Sequence, residues 1–111
     1  MTPVTDEYMK EMLSKTKTYC LCIIRTTAKR KEAGADKIVW EHGRRNFTLL
    51  AAGTLPIVCP ISDGTEVGGF GIFVASPQEV RKIMDEDPGV KAGLFTYELH
   101  PCRGFPGSSL P

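Results

Sequence analysis

Two side chains in this sequence have the chemistry and the setting for proton transfer: the imidazole of His42 and the carboxylate of Asp87. His42, one of only two histidines, falls on a stretch of helical periodicity, at the edge of its apolar arc and neither outside nor deep in the core. Asp87 continues the stripe set by Val80, Ile83 and Met84, whereas Asp85 and Glu86 fall off it. A carboxylate in phase with an apolar stripe needs a partner, because burying it alone is costly. If the two helices lie side by side on a sheet, His42 and Asp87 meet at one end of the groove. The carboxylate then fixes the imidazole tautomer and favours its charged form. The outer ring nitrogen is left to take or give a proton, which typically contributes about 10²–10⁴ in rate. Such a pair suits enolisation, isomerisation or elimination on a small polar molecule. Each residue also has a plainer reading: a helix histidine satisfied by one hydrogen bond, and a helix-ending Asp before proline that binds a nearby backbone N–H.

Other residues add less. Asn46 lies within the apolar arc and reads as a buried polar group lining a pocket. Gly71, with Gly68 and Gly69, marks a bend or a place where something approaches the backbone closely, and is taken as a second binding position. These glycines lie inside a strand, so they make no phosphate loop. Arg44 and Arg45 fall on the polar arc and are expected in solvent. Tyr19 and Tyr97 are expected to pack in the core or against a partner, and His100 to be exposed. The four cysteines, Cys20, Cys22, Cys59 and Cys102, have neither C-x-x-C spacing nor a nearby histidine. They read as small apolar residues in strands, reduced, with no metal and no cofactor expected.

The elements that must position these groups follow from local signals. Residues 3–14 predict a short helix, with Pro3 at its first position after Thr2. Residues 18–27, rich in β-branched and aromatic types, predict a central strand, and residues 28–36 a polar loop. Residues 36–52 predict a long helix, capped by Asp36 and ended by Gly53. Its apolar arc holds Val39, Trp40, Gly43, Asn46, Phe47, Leu49 and Leu50. Residues 54–62 predict a second strand, whose prolines place it at an edge or a bulge. Asp63-Gly64 signals the turn of a somewhat long hairpin. Residues 67–75 predict the third strand, with Phe70, Ile72 and Val74 on one face. Ser76-Pro77-Gln78-Glu79 is a capping box with proline at the first helical position, and Asp87-Pro88-Gly89 stops the helix that follows. Residues 94–101 predict the last strand, and residues 105–111 a flexible tail.

The order is a helix followed by β-α-β-β-α-β. It predicts one α+β domain over residues 1–111, ferredoxin-like, with two helices covering one face of a four-stranded antiparallel sheet. The opposite sheet face has no cover in the chain, so pairing of two copies, a homodimer or a higher homo-oligomer, is expected. A formal net charge of +1 provides no broad basic field, which argues against nucleic acid as a partner. No apolar run approaches the roughly 20 residues of a membrane span. Asp6, Glu7 and Glu11 break the pattern of a signal peptide, so a cytoplasmic location is expected.

The stretch from His42 to Pro60, HGRRNFTLLAAGTLPIVCP, resembles the signature of the YCII-related family. The run SPQEVRKIMDEDPGVKAG, ending at Gly93, resembles that family's capped helix and Asp-Pro, and YELHPCRG its last strand. The resemblance spans residues 18 to 104. It implies a dimeric α+β barrel, ferredoxin-like in each protomer, and a His–Asp site at His42 and Asp87. It also implies a substrate class, through halide elimination from hydroxylated aromatic rings and muconolactone-isomerase-like chemistry in related barrels. Many members carry Gly-Pro in place of Cys59-Pro60 and an aromatic in place of Gly89, and are polar where Phe47 stands. The missing aromatic implies a roomier or differently shaped pocket. Three functional readings follow. The first is a small cofactor-independent lyase or isomerase acting on a small cyclic or aromatic hydroxy compound. The second is a non-catalytic small-ligand or accessory module. The third is a purely structural His–Asp pair.

Overall fold

The computed structural model describes residues 1–111. Its elements are α1 (Asp6–Ser14), β1 (Lys17–Thr26), a 3-10 turn (Ala28–Lys31), α2 (Ala35–Ala51), β2 (Ile57–Pro60), β3 (Val67–Phe73), α3 (Pro77–Asp85), α4 (Pro88–Lys91) and β4 (Phe95–Gly104). The strands form one four-stranded antiparallel sheet in the order β2-β3-β1-β4. No helix is long and apolar enough to cross a membrane.

Local chemistry explains most boundaries and several departures from the expected ones. Helix α1 begins at Asp6, not Pro3, because the Thr5 hydroxyl accepts the Tyr8 N–H at 3.1 Å and caps it there. None of its residues is buried; Arg103 of β4 ties its end down by donating to Thr16 Oγ1 at 2.6 Å and to the Leu13 carbonyl at 3.4 Å. The segment expected as a loop holds the 3-10 turn, started by the Thr27 side chain receiving the Lys29 N–H. Helix α2 starts one residue early: Gly34, at φ 86°, is its N-cap, and Asp36 lies in its first turn. Gly53, at φ 77°, follows its end as expected. Strand β2 is shorter than expected but does take a sheet edge, where prolines are tolerated. Ser76 Oγ receives the Glu79 N–H at 3.2 Å, so the capping box forms as read. Asp87-Pro88-Gly89, expected only as a stop, starts the short helix α4. Strand β4 extends to Gly104, three residues past its expected end, to pair with the start of β1.

The core lies between sheet and helices. Cys20, Cys22 and Phe73 on the sheet meet Leu55, Val80 and Met84. A smaller cluster, Ala35, Leu94 and Phe95, closes the end beside α2 and α4. Full burial of side chains such as Leu55 and Val80 stabilises by roughly 1.5–3 kcal/mol each. Alternation along the strands sends the next residues to the opposite face, where Leu21 is paired with Ile72 and Ile23 with Phe70. These four are only half-buried, and no element of the chain covers them.

Candidate functional site

The buried face of α2 is only one side of its apolar arc: Val39 and Leu49 pack against the core, and Asn46 is half-buried. Trp40 and Phe47, read as core, are 69% and 71% exposed, and Leu50 is exposed too. The helix is rotated so that Ala35 and His42 are buried instead. His42, expected at an intermediate depth, is 8% exposed, and Asp87 is 1% exposed. Of the two arginines expected in solvent, Arg44 is exposed and pairs with Glu41, whereas Arg45 is half-buried with its Nη1 lacking a partner.

Three hydrogen bonds satisfy the Asp87 carboxylate. His42 Nδ1–H donates to Oδ1 at 2.8 Å, and the N–H groups of Gly89 and Val90 donate to Oδ2 at 2.9 and 3.2 Å. Asp87 is thus at once the partner of the imidazole and the N-cap of α4. Burial pushes its carboxyl up, but the hydrogen bond and charge of His42, with the two backbone donors, outweigh that and hold it below the usual carboxylate range. Phe95 lies against the imidazole, ring centroids 4.8 Å apart at 57°, and limits its rotation.

With the proton on Nδ1, His42 Nε2 carries the lone pair, and Asn46 Nδ2 sits 3.2 Å from it, placed to donate. Turning that amide over would present Oδ1 to an Nε2–H. Asn46 can therefore serve either protonation state of the ring.

His42, Asn46 and Gly71 all line one cavity of about 330 Å³, with Leu55, Phe73 and Phe95 among its apolar walls. That volume suits a single small ring. Asp87 lies behind His42, not on the wall. Gly71 lets Leu55 pack close against the backbone at the cavity floor: a Cβ there would come within 2.7 Å of Leu55 Cδ1 and 3.3 Å of the Ile57 carbonyl. Cys22 also faces the cavity; burial pushes its thiol up to about 12, with Cys20 and Asp87 adding to the effect, so it is a neutral S–H at neutral pH. His100 and Tyr97 stand apart from the cavity: His100 is exposed and bonded to Glu98 at 2.8 Å, and the Tyr97 hydroxyl donates to Asp85 at 2.5 Å. Sequence reasoning missed Arg30 and Phe95 as wall residues. Nothing local marks either one, since both reach the cavity through tertiary packing.

Helices on one face of an antiparallel sheet ordered β2-β3-β1-β4 define an α+β, ferredoxin-like fold. Among solved structures, the chain is similar to 5-chloro-2-hydroxyhydroquinone dehydrochlorinase (TftG) from Burkholderia phenoliruptrix AC1100, in complex with 2,5-dihydroxybenzoquinone. The two share 20% identity over 74% of this chain and 90% of that one, with a TM-score of 0.50. At that identity the likeness is one of fold. No family model and no curated protein matches the chain.

Proposed function

We propose that this chain is a small acid–base enzyme of the YCII-related family, acting without a cofactor on a small cyclic or aromatic hydroxy compound. The observation that carries the reading is an imidazole fixed by a buried, ionised carboxylate, with its other nitrogen beside a residue that shares the wall of a ring-sized cavity. His42 takes a proton from a ring hydroxyl or an activated C–H through Nε2. The electron pair left behind moves into the ring. In elimination it expels a leaving group as an anion; in isomerisation the proton returns at another ring atom. Asp87 holds the tautomer and stabilises the imidazolium while it carries the proton. Asn46 and Gly71 bind the ring, one by a hydrogen bond and the other as a stretch of wall against which the ring lies. The fold shared with a dehydrochlorinase whose structure holds a hydroxyquinone supports this substrate class. The working unit is one domain, cytoplasmic, with a second copy covering the sheet face of Leu21, Ile23, Phe70 and Ile72.

A second reading has its own observation. Asp87 caps α4 while gripping α2, so the pair can act as a structural pin. The two readings separate in a His42→Gln variant assayed against halogenated and unhalogenated dihydroxybenzenes and small lactones. The enzyme reading expects a fold that survives and turnover lower by about 10²–10⁴. Turnover at the wild-type rate in that variant rules the reading out.

A further inference from the structure

We infer that the ligand of this cavity is an anion, a ring bearing a carboxylate or an acidic enol, and that Arg30 is the residue that selects it. This rests on the proposed function, which supplies the ring, and adds its charge. Among the residues lining the cavity, Arg30 alone carries a permanent charge, and no carboxylate lines the wall. Two carboxylates stand next to wall residues without lining the cavity themselves: Asp87, behind His42 and matched by it, and Asp36, exposed to solvent beside Arg30.

Arg30 is built to hold still at its root and to donate at its tip. Its 3-10 turn is tied to the segment before β4, with Thr27 N–H donating to the Leu94 carbonyl at 2.9 Å and the Thr27 hydroxyl to the Gly93 carbonyl at 2.6 Å. The guanidinium makes one bond inside the chain, from Nη1 to Asp36 Oδ1 at 2.9 Å. Asp36 is 93% exposed, so the pair is a weak surface one. A guanidinium has five N–H donors in a planar fork, and the others are uncommitted.

Asp36 holds Arg30 beside the first turn of α2, and His42 lies on the same helix about 9 Å further along its axis. A single ring can therefore present an anionic substituent to one group and a hydroxyl to the other. Proton removal by His42 places negative charge on the ring, and a cation at the far end stabilises that charge as it forms.

A matched pair of probes tests this: 2,5-dihydroxybenzoate and hydroquinone, which differ only by the carboxylate. Binding is measured by calorimetry, and occupancy of the cavity by the shift of the His42 ring resonances. The wild-type chain is expected to hold the benzoate about tenfold or more tighter. In Arg30→Gln that preference falls to about one, with hydroquinone affinity unchanged. Should the variant fail to fold, the Arg30 Nε–H resonance of the wild-type chain answers instead, shifting with the benzoate and not with hydroquinone. If hydroquinone moves His42 but the benzoate binds no tighter, or Arg30→Gln keeps the full preference, or the Arg30 resonance ignores both probes, this inference is overturned and the acid–base reading stands. If neither probe moves His42 in the wild-type chain, both fall together.

Discussion

The two faces of α2 are an instructive contrast. Its outward side carries Trp40, Gly43 and Phe47, which with Arg30, Asp36 and Arg44 line a shallow groove open to solvent. Its inward side carries His42, Asn46 and Arg45 among Ile38, Val39 and Leu49, which pack against the core. An ordinary amphipathic helix would turn its large aromatics inward and its imidazole and amide outward. The polar groups on this mixed inner face are tolerable because each inward ring or amide contact is specific: carboxylate to imidazole, imidazole to amide. A helix face that buries paired polar groups among apolar ones is expected to fail abruptly when one partner is removed. A face that is apolar outside should hardly notice a change.

The steepest expected failure is Asp87→Ala. It strands the imidazole in a dry site and uncaps α4, and should cost about 3–5 kcal/mol in urea denaturation. Loss of under 1 kcal/mol would show that the inward face is far less interdependent than its geometry implies. Next comes Gly89→Ala. A methyl there collides with the Phe95 ring and lies 3.1 Å from Asp87 Oδ2. It should cost about 1–3 kcal/mol by overpacking and shift the His42 resonances through Phe95.

A pH titration sharpens the same contrast without deleting atoms. The folded Asp87 carboxyl is held below its ordinary value by His42, Val90 and Gly89 against the upward push of burial. Its contribution to stability is therefore complete above the unfolded carboxylate pKa and disappears as pH drops through the lower folded one. Asp87→Asn should flatten the acid limb of stability against pH; an unchanged limb would assign the acid sensitivity elsewhere. Smallest of all, Trp40→Gln and Phe47→Ser should move stability within about 0.5 kcal/mol. A larger loss, growing with protein concentration, would mean that another copy covers the outward face.

Legibility in the sequence followed the range of the interaction. The Ser76–Glu79 capping box, the Gly53 stop and the edge position of β2 were readable because their causes lie within a few residues. The β-α-β-β-α-β order was readable from periodicity, and the sheet order follows it. Helix starts slipped where a competing cap was close at hand: Thr5 against Pro3, Gly34 against Asp36. The meeting of His42 and Asp87 could be anticipated because Asp87 keeps step with Val80, Ile83 and Met84. The depth of His42 could not. Trp40 and Phe47 drew the apparent centre of the apolar arc outward, and only tertiary packing turns the helix the other way. Arg30 and Arg45 acquire their surroundings from segments far away in the chain, so no window of neighbours marks them.

One carboxylate shared between a ring and two peptide groups has a practical consequence. The amide protons of Gly89 and Val90 are latched to the same anion that steadies His42. Whatever neutralises or withdraws that anion also frees those protons to trade with deuterium. Two exchange rates, followed in heavy water with nothing bound, would then record the electrical state of the cavity wall from behind.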